Sequence, residues 1–151
     1  MTPELTIILA EDDDGHATLI RRNIARAGLH ADVVRFHDGG ELFDALSNGH
    51  PLLTPGRRVL LLLDLSMPKV DGMEVLRRLK SNAATATIPV YMLTTTDNPA
   101  EIDSCFALGC NAYVTKPVSY EAFATALGQL CSFLQVTQIP TLPDRSNHVF
   151  A

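Results

Sequence analysis

The feature that most constrains the fold of this chain is a repeated alternation between short apolar runs and longer segments with helical periodicity. Residues 59–63, a valine followed by four leucines, form the most apolar of these runs. Such a run predicts a strand buried on both faces of a sheet, so we place it at the sheet's centre. The five predicted strands are residues 5–10, 31–36, 59–63, 88–93 and 111–115.

The segments between the runs predict five helices. Leu19, Ile20 and Ile24 share one face of the first segment, and Gly28 ends it. The remaining helices are predicted to begin near Asp38, Asp71, Pro99 and Ser119. Strands that alternate with helices predict an α/β protein with a doubly wound parallel sheet. The pattern alone does not determine the strand order, but the flavodoxin-like (βα)5 order 2-1-3-4-5 is a common solution.

Composition and charge indicate one ordinary domain without a nucleic-acid or membrane partner. The 151 residues are 46% apolar and 19% charged, and the net charge is -5. This charge argues against nucleic acid, because phosphate contacts need clustered Lys and Arg. The N-terminus lacks a signal-peptide pattern, and no apolar run is long enough to span a bilayer. The three cysteines form no CxxC motif, so we expect reduced thiols and a cytoplasmic location.

Acidic residues follow two of the predicted strands, at the sheet edge where such folds bind ligands. Glu11 and Asp12 follow the first strand, and Asp64 follows the third. If these strands are adjacent, the three carboxylates converge and repel one another unless a cation joins them. Hard oxygen ligands of this kind suit Mg²⁺. Helix capping is the alternative interpretation, and it suits the neighbouring Asp13 or Asp14 better than a carboxylate after the central strand.

Hydroxyl and ammonium groups follow the fourth and fifth predicted strands. Thr94 begins a run of three threonines, and Lys116 precedes Pro117. A threonine at a strand end is commonplace, and a lone lysine there is usually a surface residue. In this arrangement, however, Lys116 would face the acidic residues and could pair with a phosphoryl oxygen. A cis Lys116–Pro117 bond is one way to aim the lysine inward.

These motifs together resemble the receiver domains of two-component response regulators. They are Glu11–Asp12, Asp64 within LLLLDLSMPKVDG, Thr94 within LTTT, and Lys116–Pro117. The resemblance runs in order from about residue 5 to residue 134. It implies that Asp64 accepts a phosphoryl group from a histidine kinase. A receiver catalyses its own phosphorylation and hydrolysis and is not otherwise an enzyme.

The resemblance also assigns roles to the other motif residues. It implies that Mg²⁺ is held by Glu11, Asp12, Asp64 and the backbone carbonyl of Ser66. Thr94 and Lys116 would bind the phosphoryl oxygens, and Tyr113 would be the aromatic switch residue that follows Thr94. Tyr113 can equally be an ordinary core aromatic. Pro68 and Gly72 would shape the loop after Asp64. Glu11 departs from the family, in which many members have aspartate at this position.

The length and tail of the chain suggest a subfamily. We expect a receiver domain over residues 1–135 and a tail over residues 136–151, too short for an output domain. These features resemble the small response regulators that pair with bacterial phytochrome kinases, which implies such a kinase as partner and a homodimer. An apolar patch for dimerisation would contain Phe133, Leu134, Val136 and Ile139. The alternative is that the tail packs on its own domain.

Two other classes of protein share parts of this pattern. A nucleotide-binding α/β protein would share the fold, but no GxxxxGK or GxGxxG follows a strand. A Mg²⁺-dependent phosphatase with an aspartate nucleophile would share Asp64 and the metal. Such enzymes normally carry a second aspartate two residues later as general acid, and this chain has Ser66 there. The serine favours the receiver.

Overall fold

The computed structural model describes residues 5–143 of the chain as a single α/β unit. Strands and helices alternate along it in the order β1 (Leu5–Ala10), α1 (Asp14–Arg26), β2 (Ala31–Phe36), α2 (Gly39–Asn48), β3 (Arg58–Leu63), α3 (Gly72–Lys80), β4 (Val90–Thr94), α4 (Pro99–Leu108), β5 (Ala112–Thr115) and α5 (Tyr120–Val136). All neighbouring strands are parallel, in the order β2-β1-β3-β4-β5. The predicted flavodoxin-like fold and strand order are confirmed.

The helices begin where the sequence offers a capping side chain. Each of the five described helices has a residue before its first turn whose side chain accepts a main-chain N–H: Asp13, Asp38, Asp71, Asn98 and Ser119. Such caps satisfy donors that a helix start would otherwise leave unpaired. Capping therefore accounts for Asp13, whereas Glu11 and Asp12 lie outside the helix.

Four strand boundaries differ from the prediction by one or two residues. β3 begins one residue earlier, at Arg58, β4 ends one residue later, at Thr94, and β4 and β5 begin later than predicted. β4 begins at Val90 rather than residue 88, because the Ile88 N–H donates to the Thr85 carbonyl at 3.0 Å in the preceding turn. Pro89 has no N–H to contribute to a ladder. β5 begins at Ala112. Before it, Asn111 contacts β4 through its main-chain N–H, which donates to the Val90 carbonyl at 2.8 Å, and through its side-chain oxygen, which accepts the Val90 N–H at 2.9 Å.

The core lies on both faces of the sheet, as a doubly wound fold requires. Alternate residues of β3 point to opposite faces: Leu61 and Leu63 pack with α2 and α3, and Leu60 and Leu62 pack with α1 and α5. All four leucines are fully buried. This double burial is why β3 reads as a continuous apolar run.

The described part of the tail packs on the domain. Thr141 forms an antiparallel bridge with Arg58, and the Leu142 N–H donates to the Arg57 carbonyl at 2.7 Å. Ile139 and Leu142 are buried. Residues 137–143 thus follow the alternative that the sequence left open for the tail, and residues 144–151 lie outside the described part. No described helix is long and apolar enough to cross a membrane.

The loop of residues 49–57, which precedes β3, is only partly exposed. Leu53 is buried within it. The Thr6 hydroxyl donates to the Leu52 carbonyl at 2.7 Å and so ties the loop to the start of β1.

Candidate functional site

Three carboxylates meet where β1 and β3 end. The register pairs Ala10 with Leu63, so Glu11 and Asp64 leave adjacent strands at the same level. Carboxylate oxygens of Glu11, Asp12 and Asp64 lie within 4.8 Å of one another. Glu11 and Asp64 are buried, and Asp12 is exposed. The strand order reverses at β1, so this cluster occupies the switch point where such sheets bind ligands.

Lys116 supplies a positive charge to this cluster. Its ammonium contacts the Glu11 carboxylate and lies 3.5 Å from Asp64 Oδ2. Its side chain is almost completely buried, so the lone-surface-lysine interpretation is wrong. The Lys116 N–H donates to the Thr94 carbonyl at 2.7 Å, which anchors the strand end. The Lys116–Pro117 bond is trans rather than cis, and the side chain reaches inward without the isomer.

The charges in the cluster are not balanced, and the pKa of the Glu11 carboxyl group shows the effect. Burial, followed by hydrogen bonding to Asp64, raises the pKa of Glu11 from its ordinary 4.5 to a net value of about 7. Lys116 lowers the pKa but only partly offsets these effects. A single ammonium therefore does not neutralise the buried carboxylates. A divalent cation at this position would supply the missing charge.

We expect cation binding to depend on pH because of Glu11. When the pH is below the Glu11 pKa of about 7, the Glu11 carboxyl holds a proton that a metal ion must displace. Mg²⁺ affinity should therefore fall about tenfold from about pH 8 to about pH 6 and change little above pH 8. Titration calorimetry at several pH values measures this, with Glu11→Gln as the variant that should lose the dependence. An unchanged affinity across this range would contradict the raised pKa.

The loop after Asp64 is held close to the carboxylate. The Ser66 N–H donates to Asp64 Oδ1 at 3.2 Å, and the Gly72 N–H donates to the Leu65 carbonyl at 3.0 Å. A Cβ at Gly72 would lie 2.2 Å from the Asp64 carbonyl oxygen, a distance that no side chain tolerates. The predicted loop-shaping role of Gly72 has this steric basis. The role of the Ser66 carbonyl as a metal ligand stays a prediction.

Thr94 and Tyr113 lie on the neighbouring strands. Thr94 is fully buried, and its hydroxyl has no hydrogen-bond partner among the residues that the structure describes. Buried hydroxyls are normally paired, so this group is suited to a ligand. Tyr113 is partly buried, and its hydroxyl donates to the Thr96 carbonyl at 2.6 Å. Burial, together with nearby Cys105 and acidic side chains, raises the Tyr113 pKa to about 12.

Two residues at the site escaped the sequence reasoning. Arg35, on β2, donates through Nε and Nη2 to the Glu11 carbonyl at 3.0 and 2.9 Å, and through Nη1 to Asp14 at 2.7 Å. His16, in the first turn of α1, places Nδ1 3.1 Å from the Lys116 ammonium. Only the pairing of β2 with β1 would have indicated Arg35. The helical spacing from the acidic residues would have suggested His16.

A doubly wound α/β domain with clustered carboxylates and a buried lysine at its switch point defines the class of receiver-like signalling domains. The model of the family described as "Response regulator receiver domain" matches residues 7–128. The chain belongs to this family, as its sequence motifs predicted.

Similar proteins agree with this assignment. A response regulator receiver domain from Rhodospirillum rubrum is similar with a TM-score of 0.85 and 44% sequence identity. The match covers 91% of this chain and 99% of the Rhodospirillum rubrum chain. The phosphorylated cyanobacterial phytochrome response regulator RcpA has a TM-score of 0.81 and 32% identity, covering 89% of this chain and 97% of its own. The probable methanogenesis regulatory protein FilR2 of Methanothrix harundinacea is 37% identical, covering 76% of this chain and 74% of its own length.

Proposed function

We propose that Asp64 of this two-component receiver domain accepts a phosphoryl group from the phosphohistidine of a sensor histidine kinase. The observation that carries the proposal is the buried Lys116 ammonium, which lies between the Glu11 and Asp64 carboxylates. A cation in this position can bind an oxygen of a phosphoryl group on Asp64. Receiver domains are a signalling family, and the only chemistry proposed here is the domain's own phosphorylation and dephosphorylation.

The carboxylate cluster fits Mg²⁺. Receiver domains bind this ion through an acidic pocket, and the clustered oxygens of Glu11, Asp12 and Asp64 have the hard-donor chemistry that it prefers. The raised pKa of Glu11 indicates that the cluster lacks positive charge. These three residues and the Ser66 carbonyl would hold the ion. When bound, Mg²⁺ neutralises the repulsion between Asp64 and the incoming phosphate.

The transfer follows from the positions of the side chains. An Asp64 carboxylate oxygen attacks phosphorus and forms an acyl phosphate, while the phosphorus–nitrogen bond to the donor histidine breaks. The Lys116 ammonium and the Thr94 hydroxyl stabilise charge on the phosphoryl oxygens. Water later hydrolyses the acyl phosphate and restores the Asp64 carboxylate. The side chains at Ser66 and Thr96 are candidates to tune the access of this water.

Signalling requires a change of conformation that Thr94 and Tyr113 can provide. The unpaired Thr94 hydroxyl gains a partner when it moves toward the phosphoryl group. The movement vacates space beside the strand, which the Tyr113 ring fills after its hydroxyl leaves the Thr96 carbonyl. Phosphorylation thereby favours one of two arrangements that the domain already samples.

Acetyl phosphate with Mg²⁺ tests the function without requiring the kinase. We expect the wild-type protein to gain one phosphoryl group. Asp64→Asn should gain none while it unfolds as cooperatively as wild type, because the substitution keeps the shape but removes the nucleophile. Intact-protein mass spectrometry measures the adduct. Rapid multiple turnover of a small phosphoester by the wild-type protein would instead support the phosphatase alternative.

The kinase partner is, in our proposal, a bacterial phytochrome, and the domain works in the cytoplasm. The support is the similarity to the phytochrome response regulator RcpA. The three cysteines are free and buried, which suits a reducing compartment. Phosphotransfer profiling against the histidine kinases of the source organism tests the pairing. Preferred transfer from a kinase without a phytochrome module would refute it.

We also propose that the domain forms a homodimer through the end of α5. Phe133 and Val136 are 50% and 76% exposed there. The apolar patch is smaller than predicted, because Leu134 and Ile139 are buried in the domain's own core. Helical spacing places Leu134 on the buried stripe of α5 together with Leu127.

A charge at the end of α5 should dissociate this dimer. We expect Phe133→Glu to be monomeric at concentrations where wild type is dimeric, because the interface would bury the new carboxylate. Light scattering coupled to size-exclusion chromatography measures the mass. Phe106→Glu, at a similarly exposed phenylalanine on α4, is the matched control. Dissociation by the control variant alone would place the interface elsewhere.

A further inference from the structure

The Lys116 ammonium has a third neighbour besides the two carboxylates, and that neighbour is His16. Nδ1 of His16 lies 3.1 Å from Lys116 Nζ and 3.9 Å from Glu11 Oε1. An ammonium can only donate hydrogen bonds, so the neighbouring Nδ1 must be the acceptor. The contact therefore requires the His16 tautomer that carries its ring proton on Nε2. The three donors of Lys116 are thereby matched by Glu11, Asp64 and His16.

Contacts of both its main chain and its ring hold His16 in this position. The main-chain N–H of His16 donates to Asp13 Oδ1 at 2.9 Å, within the capping interaction that starts α1. Its ring packs edge-on against Phe123 of α5, with centroids 5.7 Å apart and planes at 89°. Phe123 is itself buried in the core. The main chain and the ring of His16 are thus both fixed by contacts within the domain.

His16 differs from Glu11 and Asp64 because phosphorylation does not change its role as an acceptor. In the proposed function, Asp64 becomes an acyl phosphate and Glu11 would hold the metal ion, so the contacts of both with Lys116 would weaken. His16 is a neutral acceptor that neither step consumes. It is the one contact of the ammonium that can persist while Lys116 moves to a phosphoryl oxygen.

From this geometry we propose that His16 is a positioning residue for Lys116, which it holds toward Asp64 so that the ammonium meets the incoming phosphoryl group. The inference rests on the proposed function, since it concerns the same transfer. Without His16 the ammonium loses one of its three acceptors, so its position is less restricted and it faces Asp64 for a smaller share of the time. The rate of phosphorylation falls as a result, whereas metal binding does not depend on His16.

Two substitutions separate the acceptor atom from the bulk of the ring. His16→Asn keeps an oxygen at the position of Nδ1, one bond beyond Cγ, and so retains an acceptor. His16→Leu places a methyl group at the same position and cannot accept. We expect the leucine variant to be phosphorylated by acetyl phosphate about tenfold more slowly at saturating Mg²⁺. The asparagine variant should recover most of the wild-type rate, and the Mg²⁺ affinity of both should stay within about twofold of wild type.

Nitrogen NMR of the Lys116 ammonium, in protein without metal or phosphate, tests the contact itself. The ammonium signal should shift and its protons should exchange faster with water in His16→Leu, and both effects should be reversed in His16→Asn. An unchanged ammonium signal in the leucine variant, or equal phosphorylation rates in both variants and wild type, would overturn the inference. A wild-type protein that takes up no phosphoryl group would instead refute the proposed function, and the NMR comparison would still decide the contact.

Discussion

Replacing Lys116 with methionine is expected to lower the free energy of unfolding of the metal-free protein by about 3 kcal/mol and to slow phosphorylation at least about a hundredfold. Methionine fills similar space but leaves the buried Glu11 and Asp64 carboxylates without their ammonium partner. An uncompensated buried charge is costly. Magnesium should bind this variant more tightly than wild type, because the ion no longer competes with an ammonium for Glu11.

Chemical denaturation in the presence of a chelator, and again with Mg²⁺, measures these effects. Lys80→Met is a matched control, because the Lys80 ammonium also makes partly buried hydrogen bonds. It donates to the Ala86 and Ile88 carbonyls at 3.1 and 2.7 Å. That variant should lose stability but keep the wild-type Mg²⁺ affinity and phosphorylation rate. If Lys116→Met were phosphorylated as fast as wild type, Lys116 would have no part in the transfer.

Gly72→Ala is expected to destabilise the domain by about 3 kcal/mol and to weaken Mg²⁺ binding at the same time. The new Cβ would lie 2.2 Å from the Asp64 carbonyl oxygen and 2.7 Å from the Leu65 Cα. Both atoms belong to main chain that cannot rotate away, so the segment carrying Asp64 must move. The carboxylate then leaves the position it shares with Glu11.

Gly128→Ala, within α5, provides the contrasting control. Its Cβ would meet nothing within 4 Å, and alanine stabilises a helix interior by about 1 kcal/mol relative to glycine. Thermal or chemical unfolding of the two variants, with Mg²⁺ titration of each, measures the difference. Equal stability of Gly72→Ala and wild type would show that the loop after Asp64 relaxes far more easily than its packing indicates.

The sequence predicted the elements of the fold because its local signals agree with its packing. The apolar run of β3 reflects burial on both faces, and the Asp13 and Asp71 caps mark true helix starts. The strand order was adopted as a common solution for doubly wound sheets rather than derived from the pattern, since no local signal says which strands pair. The start of β4 could not be predicted from burial alone. Ile88 is as buried as a strand residue, but its N–H bonds within a turn and Pro89 follows it.

The site residues that could be predicted from the sequence are those that directly follow a predicted strand. Glu11, Asp64 and Lys116 each do so, and parallel pairing brings them together. Arg35 and His16 were missed because neither follows the end of a strand. Arg35 lies within β2 and His16 in the first turn of α1, and their contacts with the site depend on how these elements pack. The same packing removed Leu134 and Ile139 from the predicted surface patch.

The central claim is that Asp64 carries the phosphoryl group, and reductive trapping tests it most directly. Wild-type protein is phosphorylated with acetyl phosphate and Mg²⁺, treated with borohydride to convert the acyl phosphate to an alcohol, and digested for peptide mass spectrometry. The account predicts homoserine at position 64 and unmodified aspartate at Asp12. Modification at Asp12 with Asp64 intact, or no modified acidic residue at all, would contradict it.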